Sequence, residues 1–193
     1  MPGVGRYRVQ IEVTDEFAEA QLTVWNERSF PVEHVTSCPC WEFRNAPSFY
    51  GADPGVEALS RAWIWSGERL ARLADTDRRH SLDGVLPVYP VRDAAGPPGW
   101  RERVADGYGW GLSDTVADSP LIAVESTDRG WVTGTSWRGA YSLSYNTRPP
   151  WHGCIHSLPY LGSIPPGGSV ESRGRAWLMR GDIRDLSDRA ARA

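Results

Sequence analysis

Short runs of alternating apolar and polar residues, separated by Gly, Pro, Asn and Asp, set the pattern of this chain. A period of two marks a strand with one buried face. Residues 6–14 (RYRVQIEVT) put Tyr7, Val9, Ile11 and Val13 on one side, and residues 20–25 (AQLTVW) do the same with Ala20, Leu22 and Val24. Residues 26–29 read as a hairpin turn, and residues 30–36 return as a third strand with Pro31 at its start or at a sheet edge. Residues 61–73 read as strand, turn and strand, RAWIW and RLARL around Ser66, Gly67 and Glu68; a short helix over 56–73 is the competing reading. A single short strand, residues 85–91, interrupts the long polar connection from Asp75 to Gly99.

The second half is more regular. Residues 120–126 (PLIAVES) form a buried strand, and residues 131–137 (WVTGTSW) its hairpin partner across Asp128, Arg129 and Gly130. Strands follow at residues 140–145, 153–158 and 169–179, the last closing the sheet. In the tail, Ile183, Leu186 and Ala190 recur at helical spacing, which predicts a short C-terminal helix within residues 181–193. The pattern predicts an all-β fold: a single-domain antiparallel β-sandwich or barrel over residues 1–193, with long loops and that one helix.

Composition narrows the function classes. A hydrophobic share of 40% in 193 residues is enough for a core. A net charge of -3 argues against a nucleic-acid partner. No apolar run reaches membrane-spanning length, so no membrane partner is expected. No charged and apolar leader opens the chain, and the expected compartment is the cytoplasm. All 21 basic residues are arginine, the mark of a GC-rich, bacterial genome. Schiff-base lysine and P-loop lysine chemistry are therefore excluded. The three cysteines, Cys38, Cys40 and Cys154, are expected to be reduced.

Candidate chemistry concentrates in Trp151-His152-Gly153-Cys154-Ile155-His156. On an extended strand His152, Cys154 and His156 share a face. Residues four apart lie about 13 Å from each other, so one metal takes His152 with Cys154, or Cys154 with His156, unless Gly153 introduces a bulge. A second source of ligands is His34, Cys38 and Cys40; if the two segments are neighbouring strands, a mixed His/Cys site forms. The cofactor is unknown, and Zn, Cu or Fe suits such donors. Without a metal, His152 or His156 acts as general acid or base with a carboxylate from Asp75, Asp77, Asp114 or Glu125. In the blander alternative, Cys154 is a small buried hydrophobe and His156 bonds a carbonyl. Glu125, inside an apolar strand, faces inward and needs a partner such as Arg173 or Arg175. Flat surfaces for a planar or sugar-like ligand come from Tyr108, Trp110 and Trp151. Asn146 and Arg148 lead into the stiff Pro149-Pro150 brace before the histidine cluster.

Two stretches, LTVWNERSFPVEHV and GSIPPGGSVESRGRAWLMRGD, resemble bacterial β-sandwich domains, the second those of galactose-mutarotase-like, carbohydrate-associated type. The resemblance implies a β-sandwich and turns the expected ligand towards sugars. Taken together, the chain is expected to be a small bacterial enzyme of specialised metabolism. It acts on a polar small molecule, sugar-like or a natural-product intermediate, by His-centred acid/base or metal-assisted chemistry of isomerase, lyase or cyclase type. A non-catalytic carbohydrate- or small-ligand-binding module is the alternative, and a homo-oligomer is compatible with either.

Overall fold

A computed structural model describes residues 5–50, 55, 57–78, 86–105, 109–148 and 153–192. Among these residues, thirteen strands fall into two sheets. The first holds seven: β1 (Arg6–Val13), β2 (Phe17–Trp25), β13 (Ser169–Arg180), β10 (Trp131–Trp137), β9 (Ile122–Glu125), β5 (Ala62–Ser66) and β6 (Arg69–Arg72), in that spatial order. The second runs β3 (Val32–Thr36), β12 (Cys154–Ile164), β11 (Ala140–Asn146), β7 (Pro87–Pro90) and β8 (Gly111–Leu112), with β4 (Cys40–Glu42) also paired to β12. All pairings are antiparallel except β7 with β8. The all-β antiparallel sandwich is thus the observed architecture.

Alternation sends one face of each sheet inward. Leu59, Ile64, Leu73, Ile122 and Val124 meet Tyr89, Leu143, Tyr145 and Ile155 across the interior. Ser157 links the layers: its Oγ accepts from the Trp137 backbone N–H at 3.0 Å and donates to the Pro120 carbonyl at 2.8 Å. The C-terminal helix α3 (Ile183–Arg192) buries Ile183 and Leu186 against Ala123, Val132, Trp177 and Met179. Burial of that size contributes about 1.5–3 kcal/mol per large side chain. It also explains the irregular pattern at the end of β13, where Trp177 and Met179 point to the helix and Leu178 lies half exposed between them.

Several boundaries differ from the sequence pattern. Two further short helices, α1 (Pro47–Tyr50) and α2 (Trp100–Ala105), form inside loops. Residues 57–73 are neither a continuous helix nor strands alone: a 3-10 turn over Glu57–Arg61 leads into the β5–β6 hairpin. β13 lies in the middle of its sheet, between β2 and β10, rather than closing it. β12 continues through Pro159 to Ile164; the register against β11 shifts between Ala140 and Ser142, beside the ring that has no N–H to give. β1 alternates as the pattern predicts, yet its apolar side is uncovered, with Tyr7, Val9, Ile11 and Val13 all exposed. No helix among the described residues is long and apolar enough to cross a membrane.

Candidate functional site

β12 carries the candidate chemistry because its inward positions are already filled. Ile155 and Ser157 face the interior, so Cys154 and His156 must project from the opposite side. Two neighbours then complete the arrangement. On one edge β11 sets Ser144 opposite His156 and Asn146 opposite Cys154. On the other, β4 sets Cys40 opposite His156 and Glu42 opposite Cys154. Trp41, between Cys40 and Glu42, turns inward and anchors the short strand by donating from Nε1 to Thr133 Oγ1 at 2.8 Å.

The result is a compact donor set. One ligand atom each from Cys40, Cys154 and His156 lies within 4.8 Å of the other two. Among the described residues this is the only such group of three metal-type donors. His156 is buried, Cys154 half-buried and Cys40 exposed. Nδ1 of His156 is 3.1 Å from Ser144 Oγ, which fixes the ring plane. Hydrogen bonds from the Cys154 thiol and from His156 pull the Cys40 thiol down to about 5. The same contact with Cys40, together with burial, pushes the Cys154 thiol up. Burial, and then the Cys40 charge, also raise the Cys38 thiol.

His156 opens onto a cavity of about 320 Å³, bordered by Arg103 and Val104 of α2 and by Trp110 next to β8. Its walls are Cys38, Val88, Arg103, Val104, Trp110, Tyr141, Ser142, Ser144 and Leu158. Trp110 meets the imidazole edge to face, 6.2 Å between centroids at 71°. Tyr141 is held by Trp100 in the same manner at 4.9 Å and 72°. Such a space, mostly apolar with a few aimed polar groups, is the ordinary form of a small-ligand pocket.

Other residues singled out from sequence lie elsewhere. His152, Trp151 and Tyr108 lie outside the described residues. His34 is not part of the donor set: its backbone is left-handed (φ 55) and its Nδ1 pairs with the Tyr160 hydroxyl at 2.9 Å. Asp75 sits on an exposed 3-10 turn with Arg72 at 3.5 Å. The Asp77 carbonyl accepts from Ser113 Oγ at 2.6 Å, and Asp114 is exposed beyond β8. Glu125 is buried as its alternation implies, but its partners are the Trp63 indole N–H at 3.2 Å and the Ile183 backbone N–H at 3.3 Å. Arg175 is paired instead with Glu19 at 2.8 Å. Asn146 accepts from the Arg148 backbone N–H at 3.0 Å, a local turn bond beside Cys154. Ser144 and Tyr141 were not singled out. The signal was there, since Ser142 and Ser144 alternate with Leu143 and Tyr145 on β11.

No known protein family matches the chain, and no curated protein matches it. Solved structures do resemble it in fold. Slr1438 from Synechocystis sp. PCC 6803 aligns at a TM-score of 0.50 and 9% identity, over 92% of this chain and 55% of that one. A candidate aldose 1-epimerase from Escherichia coli K12 aligns at 0.47 and 11%, over 93% and 62%. A galactose mutarotase-like protein from Lactobacillus casei ATCC 334 aligns at 0.46 and 11%, over 89% and 62%. The chain thus spans 55–62% of the length of these structures, and what it shares with Slr1438 is the sandwich architecture.

Proposed function

We propose that the protein is an enzyme acting on a polar, sugar-sized molecule bound in the cavity over His156. The observation that carries this reading is the placement of buried His156, flanked by Ser144 and Cys40, in the wall of an aromatic-sided pocket. A buried strand position is filled more stably by Val or Ile, so this polar assembly is not explained by packing. Trp110 and Tyr141 supply flat apolar walls for ring C–H faces. Ser142, Ser144, the Tyr141 hydroxyl and Arg103 supply donors and acceptors for ligand hydroxyls. The reactive group is His156 in that wall, with Cys40 and Cys154 beside it on β4 and β12.

Titration of intrinsic tryptophan fluorescence with a panel of aldoses and other polyhydroxylated small molecules tests this. A saturable ligand whose affinity falls at least about tenfold in Trp110→Ala supports the reading. No saturating ligand, or one indifferent to Trp110→Ala, contradicts it. The second reading, a non-catalytic binding module, rests on the same aromatic walls. It predicts that a bound ligand is recovered unchanged, whereas the enzyme converts it and His156→Gln binds without converting.

A further inference from the structure

We propose that Cys40 Sγ, Cys154 Sγ and a ring nitrogen of His156 bind one zinc ion, with the fourth coordination position left to water or substrate. Three donors of types that zinc prefers, two thiols and an imidazole, converge from two segments more than a hundred residues apart, with their ligand atoms within 4.8 Å. Tetrahedral zinc at about 2.3 Å from sulfur and 2.0–2.1 Å from nitrogen needs a spread of that order. The set is also fixed in advance. β12 holds Cys154 and His156 by its pairings on both edges, and Trp41 pins β4. Ser144 Oγ meets the imidazole at Nδ1, leaving the other nitrogen to the metal and orienting the ring as an outer-shell partner does.

Charge and softness select the ion. Two thiolates and an imidazole favour zinc or another borderline-soft metal over magnesium or calcium. Both sulfurs bind as thiolates, and their two charges balance the dication. Such neutralisation suits a site with one wall buried. Three protein ligands with an open fourth place is the arrangement of catalytic rather than structural zinc. The catalytic use of the ion rests on the cavity reading; its binding does not.

The test is metal analysis of the intact chain purified without chelators, followed by cobalt titration of the metal-stripped protein. The expected result is one zinc per chain and a thiolate-to-cobalt charge-transfer band that saturates at one equivalent. Cys40→Ser, Cys154→Ser and His156→Gln, checked for folding by circular dichroism, each lose the stoichiometric metal, and Cys38→Ser keeps it. If a variant fails to fold, the wild-type chain still decides: bound zinc protects Cys40 and Cys154 from alkylation and leaves Cys38 open. Absence of both zinc and cobalt uptake overturns the site. Loss of metal in Cys38→Ser overturns the open fourth position. A metal-replete chain that binds no cavity ligand defeats the functional reading alone, and ligand conversion by a metal-stripped chain overturns the catalytic use of the ion.

A separate observation carries a second inference: two copies of the chain pair antiparallel through β1. Its inner edge bonds to β2, and its outer edge has no partner strand among the described residues. The Thr14 N–H bonds to the Phe17 carbonyl, so the even-numbered backbone groups of β1 face β2 and those of Tyr7, Val9, Ile11 and Val13 face outward. The same four side chains form an exposed apolar row, continuous with a groove of about 340 Å³ that Val9 and Ile11 share with Ala18, Ala20 and Leu22. A long apolar edge of this kind is a template for another strand.

The sequence of β1 is self-complementary. With Gln10 opposite its symmetry mate, Val9 faces Ile11, Tyr7 faces Val13, and Arg8 faces Glu12 twice. Arg6 is already engaged by Glu27 and the Trp25 ring, whereas Arg8 and Glu12 have no charged partner within the described chain. Sedimentation equilibrium tests the pairing. The expected result is a dimer whose dissociation constant rises at least about tenfold in Arg8→Glu and returns in the Arg8→Glu, Glu12→Arg double variant. A monomer at all concentrations, or a dimer indifferent to Arg8→Glu, overturns it.

Discussion

A carboxylate inside an apolar strand has to find donors, and Glu125 finds them in the Trp63 indole N–H and the first N–H of α3. It therefore works as a helix anchor. Glu125→Ala is expected to cost about 1–3 kcal/mol by leaving those donors bare. Thermal unfolding measures the cost, and unchanged turnover of a cavity ligand by the folded variant separates this structural role from a catalytic one. Asp118 is a second residue whose partners define it. The Glu68 N–H at 3.0 Å and Arg92 at 2.7 Å hold its carboxyl below the usual carboxylate range. A group depressed on folding stabilises fully above its unfolded value and loses that contribution as pH falls through the folded one. Asp118→Asn should thus melt below the wild type at neutral pH, with the gap closing on acidification. A gap that is constant with pH would remove the charge from the explanation.

At the scale of elements, close packing rather than pattern sets the limits. Gly174 on β13 lies under the Trp137 ring, where an added Cβ would come within 2.2 Å of ring carbons. Gly174→Ala is expected to cost about 1–3 kcal/mol through forced displacement of the indole, read as a lower midpoint in urea. Leu186 is wholly buried beneath α3, and Leu186→Ala should cost about 2–5 kcal/mol. Most strands of the second half were legible because they alternate against a turn; the run Trp177, Leu178 and Met179 at the end of β13 breaks the period. β4 was not, since three residues carry no period, and its placement depends on pairing with a segment distant in sequence. That short element delivers Cys40 to the site. The sequence showed Cys40 as a candidate donor, and showed that neighbouring strands would make a mixed site, but not which of His34, Cys38 and Cys40 the pairing selects.

Across the whole molecule, the sandwich has an interior face that follows from alternation and an outer face on the second sheet that does not. The pattern assigns Ile155, Leu143 and Tyr145 to the core, and the structure places them there. It says nothing of α2 and Trp110 folding over the far side to make a cavity, because six residues of helix after a Pro-rich loop give too short a signal. β1 marks the opposite case: a flawless alternating strand whose apolar face the rest of the chain leaves exposed. Local periodicity identifies a strand without saying what covers it.

The proposed zinc site beside that cavity is tested most directly by X-ray absorption at the zinc edge of the purified chain. The predicted first shell contains two sulfurs at about 2.3 Å and nitrogen or oxygen at about 2.0–2.1 Å, losing one sulfur in any zinc retained by Cys154→Ser. A chain without zinc, or a shell of nitrogen and oxygen alone, would contradict it.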